Sequence, residues 1–238
     1  MKKVDILELK ETILENNDAD ADLLREQLKK QKTFYLNVMS SPGSGKTSVL
    51  LKTLEGLKNN YRVGVMEADI DSDVDALKIA DAGFPSIQLH TGGMCHLDAD
   101  MSRQGLRKIG VNIPEDTETE TEKSETTEHL DAVILENVGN LVCPAEFDTG
   151  AVRNVVILSV PEGDDKPAKY PLIFQKCEVV LVNKIDTLPV FDFDFERLKK
   201  DIYALNPNAV ILPLSAITGE GVENWCEWLA AEIDKWNK

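Results

Sequence analysis

Apolar positions along this chain fall into short β-rich runs separated by helical stripes. The first run is Phe34-Tyr35-Leu36-Asn37-Val38-Met39, and others follow at 61–66, 86–90, 130–135, 153–160, 178–182 and 210–214. Such runs of Val, Ile and Leu predict strands, many of them buried on both faces. A helical pattern, Val49-Leu50-Leu51 with Leu54, follows the first strand, and a last helix runs through Trp225, Trp228, Leu229 and Ile233. Residues 5–30 also read as helix, with Leu7, Leu9, Ile13 and Leu14 in one stripe and Leu23, Leu24 and Leu28 in another. Between them, Asn16-Asn17-Asp18-Ala19-Asp20 marks a point where the helix could break in two. Two readings of this segment stand, a helical cap on the core and an arm for docking or dimerisation. The expected organisation is therefore an N-terminal helical arm over 1–32 and one α/β domain over 33–238. The 238 residues suffice for a sizeable core.

The stretch with the most chemistry follows the first strand: Ser40-Ser41-Pro42-Gly43-Ser44-Gly45-Lys46-Thr47-Ser48. Strand, glycine loop and helix are the context of a phosphate-binding loop. Gly43, Ser44 and Gly45 let backbone N–H groups curl round a β-phosphate, and the helix N-terminus at Ser48 adds a positive dipole end. Lys46 can reach the β- and γ-phosphates, and the Thr47 hydroxyl can ligate Mg²⁺. Ser40 stands where the first glycine of the pattern is usually written.

Other strand ends carry further candidates. Glu67, Asp69, Asp71, Asp73 and Asp75 follow the second strand. Acids there sit at the functional edge of an open α/β sheet. Asp69 and Asp75 are the candidates for positioning Mg²⁺, its waters or the attacking water. Glu136-Asn137-Val138-Gly139 ends the fourth strand, where Glu136 can act on Mg²⁺ through water and the Gly139 N–H can bond a γ-phosphate. Asn183-Lys184-Ile185-Asp186 ends the sixth. The Asp186 carboxylate can accept from guanine N1–H and the exocyclic N2–H₂, a donor pair that adenine lacks, so the pattern selects GTP. Ser215-Ala216 follows the seventh strand, and its backbone can read guanine O6.

Cys95-His96 lies at a glycine turn opening a helix, and thiolate plus imidazole suits Zn²⁺ or Ni²⁺. Cys143 lies four residues past Gly139, so a segment moved by the γ-phosphate would also move this thiol. His90 is expected either to pack or to support the site from behind its ligands, and Cys177 and Cys226 fall on apolar faces and read as core.

Charge narrows the partners. The chain has 42 acidic residues against 26 Lys+Arg, a net charge of −16. Such a surface repels nucleic acid and anionic membranes, so neither is an expected partner. Residues 115–128 hold seven acids and one lysine and supply −6 of that charge. They cannot bury apolar surface and read as a mobile, solvated acidic loop, with transient metal attraction as the alternative. No apolar run at the start suggests a signal peptide, and four scattered cysteines do not make a disulfide scaffold, so a cytoplasmic protein with reduced thiols is expected.

Longer strings carry a resemblance. Thr-Gly-Gly-Met-Cys-His-Leu-Asp-Ala at 91–99, Asn-Val-Gly-Asn-Leu-Val-Cys-Pro-Ala-Glu-Phe-Asp at 137–148 and Glu-Gly-Asp-Asp-Lys-Pro at 162–167 closely resemble the hydrogenase nickel-incorporation (maturation) GTPases, the HypB family. The resemblance runs from about Thr33 to Trp228. It implies a doubly wound, mostly parallel, Rossmann-like P-loop NTPase fold, slow GTP hydrolysis to GDP, and a homodimer favoured by GTP and metal. It also implies a nickel or zinc site at the dimer interface, carried by match on Cys95, His96 and Cys143. The implied partners are a hydrogenase accessory nickel protein and the hydrogenase large-subunit precursor. Three departures stand out: no Cys-rich or His-rich N-terminal metal motif, Glu67-Ala68-Asp69 in place of a commoner Gly-Asp, and the acidic 115–128 stretch. Two rivals remain, a urease-type nickel GTPase and a non-catalytic GTP-gated module with a structural zinc. Cys143-Pro144-Ala145 argues against the first, whose metal motif is Cys-Pro-His.

Overall fold

A computed structural model describes residues 3–69, 74–90, 93, 96–114 and 128–238, with backbone alone at 3–13, 69 and 74–76. Its centre is a seven-stranded sheet in the order β3-β2-β4-β1-β5-β6-β7, in which every pair is parallel. The strands are β1 (Phe34–Ser40), β2 (Val63–Asp69), β3 (Ser86–His90), β4 (Ala132–Glu136), β5 (Arg153–Ser159), β6 (Val179–Asn183) and β7 (Val210–Pro213). The sheet is wholly parallel, and the doubly wound α/β architecture is the one expected.

Helices cover both faces. The longer ones are α1 (Lys3–Gln31), α2 (Lys46–Leu57), α3 (Val74–Asp81) and α4 (Ala99–Lys108) in the first half of the chain. Two short helices follow, α5 (Lys166–Lys169) and α6 (Pro171–Lys176), then α7 (Phe195–Leu205) and α8 (Val222–Asn237). Alternation along β1 explains the layers. Phe34, Leu36 and Val38 face α2 and α8, where Leu54, Trp225 and Leu229 close the core. Tyr35 faces the other way, toward Leu24 and Leu28 of α1 and Leu106 of α4, and Met39 lies with Phe174 of α6 and Leu198 of α7. The buried Trp225 indole donates to the Thr53 hydroxyl at 2.8 Å, so its one polar group is satisfied. Burial pushes the Tyr35 phenol well above its usual range, and its hydroxyl donates to Ser102 at 3.1 Å.

Helix α1 is continuous through 16–20, where the sequence left room for a break. Asn and Asp disfavour helix interiors because their side chains compete for nearby backbone. Here two of those side chains have distant partners instead. Asn17 bonds Ala99 and Asp148, and Asp20 pairs with Arg103 of α4. Tertiary contacts thus override local propensity.

Two strands run past their apolar runs into acids. β2 includes Glu67 and Asp69, and β4 includes Glu136. Glu67 and Glu136 are each only 4% exposed, so the pattern of apolar residues hides two buried acids. Among the described residues no helix is long and apolar enough to cross a membrane. Of the acidic stretch 115–128, all but Glu128 lies outside the described residues; Glu128 pairs with Arg62.

Candidate nucleotide and metal site

A wholly parallel sheet brings every strand's C-terminal end to one edge. Ser40, Asp69, His90, Glu136, Ser159, Asn183 and Pro213 all end their strands there. The chain leaves β1 toward β2 on one side and reaches β5, β6 and β7 on the other, so β1 marks the crevice in which open α/β sheets bind ligands. The glycine loop sits at that point, between β1 and α2.

Gly43 and Gly45 have φ of +79° and +91°, which L side chains rarely adopt. Gly45 is also crowded: an added Cβ would lie 2.6 Å from Asn183 Nδ2. That amide donates to the Ser44 carbonyl at 2.9 Å, and its Oδ1 accepts from Ala216 N–H at 3.1 Å. Lys184, itself at φ +63°, donates from Nζ to the Gly43 carbonyl at 2.6 Å. Ser215 Oγ donates to Asp186 Oδ1 at 2.5 Å and accepts from Thr218 N–H at 3.1 Å. Thus the phosphate loop, Asn183-Lys184-Ile185-Asp186 and Ser215-Ala216, distant in sequence, form one hydrogen-bonded unit. Asp186 is exposed.

On the other side of the loop, Thr47 Oγ1 donates to Glu136 Oε1 at 3.3 Å. Glu67 on β2 is the direct register partner of Glu136 on β4, so two buried carboxylates lie side by side beside this hydroxyl. Oxygen donors of this kind suit a hard divalent cation such as Mg²⁺. Within the acidic run the sequence reading put Mg²⁺ on Asp69 and Asp75 and gave Glu67 no role; its strand position beside Glu136 follows from register, which local patterning does not reveal. Asp69 closes β2 and Asp75 lies in the first turn of α3, and only their backbone is described. Gly139 sits against the lysine: a Cβ there would meet Lys46 Nζ at 3.1 Å. Ser48 lies in the first turn of α2.

A second contact escaped the sequence reading. Glu162 Oε2 accepts from Ser159 N–H at 2.9 Å and from Ser159 Oγ at 2.6 Å, and its other oxygen accepts from Ser41 of the phosphate loop. Lys166 Nζ donates back to the Glu162 carbonyl. The 162–167 string therefore braces the loop from the β5 side.

The metal candidates are only partly described. Cys95 lies outside the described residues. The His96 ring stacks on Phe147, with centroids 3.9 Å apart and planes within 8°. Phe147 belongs to the segment that carries Cys143, so the His96 and Cys143 segments meet. Asn140 Oδ1 accepts from Val142 N–H at 3.0 Å and Cys143 N–H at 2.8 Å, fixing the turn at the thiol. Among the described residues, no three His, Cys, Asp or Glu side chains gather as a metal site. His90 ends β3 exposed. Cys177 is fully buried, with its thiol pushed up to about 12 by burial, and Cys226 is pushed up to about 11 by burial. Both are protonated near neutral pH and serve as packing.

Residues 34–213 match the family model described as the CobW/HypB/UreG nucleotide-binding domain. A hydrogenase maturation factor HypB from Rhizobium leguminosarum is 41% identical over 229 residues, 96% of this chain and 71% of that one. This chain belongs to the HypB family of hydrogenase maturation factors. The Escherichia coli K12 HypB is 39% identical, over 95% of this chain and 73% of that one. Solved HypB structures agree in fold. The Archaeoglobus fulgidus HypB superposes with a TM-score of 0.79 at 33% identity, covering 92% of this chain and 100% of that one. The Helicobacter pylori HypB in complex with nickel gives 0.80 at 35%, covering 92% and 96%. The HypB membership accounts for a GTPase-type P-loop fold.

Gly45→Ala tests the geometry of this unit. Both its positive φ and the 2.6 Å approach to Asn183 Nδ2 forbid a methyl group. The variant is expected to fold with its core intact and to lose nucleotide affinity by about tenfold or more, as one displaced buried bond of about 1–3 kcal/mol implies. Equilibrium titration with a fluorescent GDP analogue checks this.

Proposed function

We propose that this chain hydrolyses GTP and couples the cycle to holding and releasing nickel during hydrogenase maturation. The observation that carries the reading is the convergence at one sheet edge. Asn183 and Lys184 tie the base loop to Ser44 and Gly43, Glu136 meets Thr47, and Gly139 meets Lys46. Cys143 follows four residues after Gly139.

In this reading Lys46 stabilises charge on the β- and γ-phosphates as water attacks the γ-phosphorus and GDP leaves. The backbone N–H groups of the loop hold the phosphates, and Gly139 N–H reads the γ-phosphate. Thr47, Glu136 and Glu67 would hold Mg²⁺, directly or through water, and the ion when bound neutralises phosphate charge. Glu136, with Asp75 or Asp69, orients the water. Asp186 and Asn183 with the Ser215-Ala216 backbone select guanine.

The cargo is a nickel ion, with zinc as the alternative occupant, on Cys95, His96 and Cys143. Three protein ligands leave a tetrahedral or square-planar ion short by one. A second subunit can complete the shell, which favours a site on a two-fold interface and a homodimer formed with GTP. The HypB membership supports a hydrogenase setting, with an accessory nickel protein or the large-subunit precursor as recipient, in the cytoplasm. A structural-zinc module lacking turnover is the second reading, and the conjunction of Lys46, Thr47 and Glu136 disfavours it.

Two sets of variants test this. Asp186→Asn replaces an acceptor by a donor, and is expected to weaken GTP by about tenfold or more while favouring xanthine nucleotides; comparable ATP and GTP affinity in the unmodified chain would contradict guanine selection. Cys95→Ala and Cys143→Ala should each abolish stoichiometric nickel uptake in a dialysis titration yet bind GDP normally. Cys177→Ala should keep nickel and lose stability only. A requirement for Cys177 with Cys95 dispensable would place the metal elsewhere.

A further inference from the structure

The function above uses α1 for nothing, yet α1 touches both segments assigned to the metal. Asn17 makes the two contacts that matter. Its Nδ2 donates to the Asp148 carbonyl at 3.0 Å, and its Oδ1 accepts from Ala99 N–H at 3.0 Å. Ala99 is the first residue of α4, three beyond His96, and its N–H is one of the donors that a helix start leaves without an intrahelical partner. The N-cap Asp98 serves a different one, accepting from Met101 N–H at 2.8 Å. Asp148 lies directly after Phe147, the residue on which His96 stacks. The polarity of Asn17 is dictated by its partners. A carbonyl can only accept and an N–H can only donate, so the amide has one workable orientation.

Neighbouring contacts lock α1 against each side of this bridge. Arg25 places a guanidinium nitrogen 2.5 and 2.6 Å from the two oxygens of Asp148, and its Nε donates to the Ala151 carbonyl at 2.9 Å. Leu24 packs so closely on Gly150 that a Cβ there would lie 2.6 Å from it. On the other side, Arg103 of α4, 3% exposed, donates to Asp20 Oδ2 at 3.0 Å. Charge-assisted and two-point contacts of this kind give geometry as well as energy.

We propose that Asn17 is a positioning residue for the metal site: by bridging Ala99 and Asp148 it sets the spacing between the segment carrying His96 and the segment carrying Cys143. This rests on the reading of His96 and Cys143 as ligands. Only an amide can fill the role. Asp keeps the acceptor but loses the donor to Asp148, and Ala loses both.

The test uses the full chain and Ni²⁺ alone, measured by chelator competition. Thiolate-to-nickel absorption, GDP affinity and hydrogen exchange of 97–101 and 146–150 are followed in parallel. Asn17→Ala and Asn17→Asp are expected to weaken nickel by about tenfold or more, the usual scale for losing a group that orients a ligand. They should also change the thiolate-to-nickel band and speed exchange in both segments, with GDP affinity unaltered. Leu28→Ala, a core change in the same helix, controls for general loosening. If it lowers nickel affinity as much at equal loss of thermal stability, the role is structural and the proposal fails. Unchanged affinity and band in both Asn17 variants also overturn it. Should the unmodified chain take up no nickel, or Cys143→Ala take it up equally well, the ligand assignment itself is what falls.

Discussion

The Asn183 amide, 2% exposed, donates to Ser44 and accepts from Ala216, and the shape of the nucleotide site follows from that pair of bonds. A buried amide that loses one partner costs about 1–3 kcal/mol, because the orphaned group has no water to turn to. Ser44 belongs to the phosphate loop and Ala216 to the loop after β7. The same side chain therefore holds the two ends of a nucleotide's footprint at a fixed separation. Lys184 adds a second tie to Gly43 and Glu162 a third to Ser41 from the opposite side. The loop is thereby shaped before any phosphate arrives, which is the condition for electrostatic stabilisation without reorganisation.

The sheet makes this possible. Parallel strands share one direction, so the seven C-terminal ends form a single edge. Each apolar run delivers its last polar residues to that edge: Glu136 from β4, Asn183 from β6, Ser159 from β5. Burial of Glu67 and Glu136 on adjacent strands concentrates negative charge beside Thr47. Like charges so close are costly unless a cation lies between them or a proton is shared. In the proposed function a nucleotide-bound Mg²⁺ would relieve that cost, and the two carboxylates would in turn help to hold the ion.

Much of this was legible because it is local. Gly43 to Thr47 announce their role within five positions, and Asn183 to Asp186 within four. Strands were legible because each is a short apolar run, though the acids Glu67, which is buried, and Asp69 concealed the end of β2. What stayed hidden depends on pairs distant in sequence. The Ser41–Glu162 contact spans 121 positions, and the Asn17–Asp148 contact 131. No periodicity encodes such a pair. For the same reason, Asn16 to Asp20 looked like a helix breaker. The side chains of Asn17 and Asp20 bond other elements, and that offsets the competition with backbone that breaks helices. The stacking of His96 on Phe147 was hidden in the same way.

In the proposed function nucleotide state and metal affinity form one coupled equilibrium, running from Gly139, which would read the γ-phosphate, to Cys143. By linkage, whatever factor GTP applies to nickel affinity, nickel must apply to GTP affinity. The direct measurement is nickel stoichiometry, nickel affinity and oligomer mass of the same preparation, once with GDP and once with a non-hydrolysable GTP analogue. Affinity and mass are both expected to differ between the two nucleotides, with dimer favoured by the analogue and the reciprocal shift seen in nucleotide titrations with and without nickel. Identical nickel affinity and identical mass in both states would contradict it.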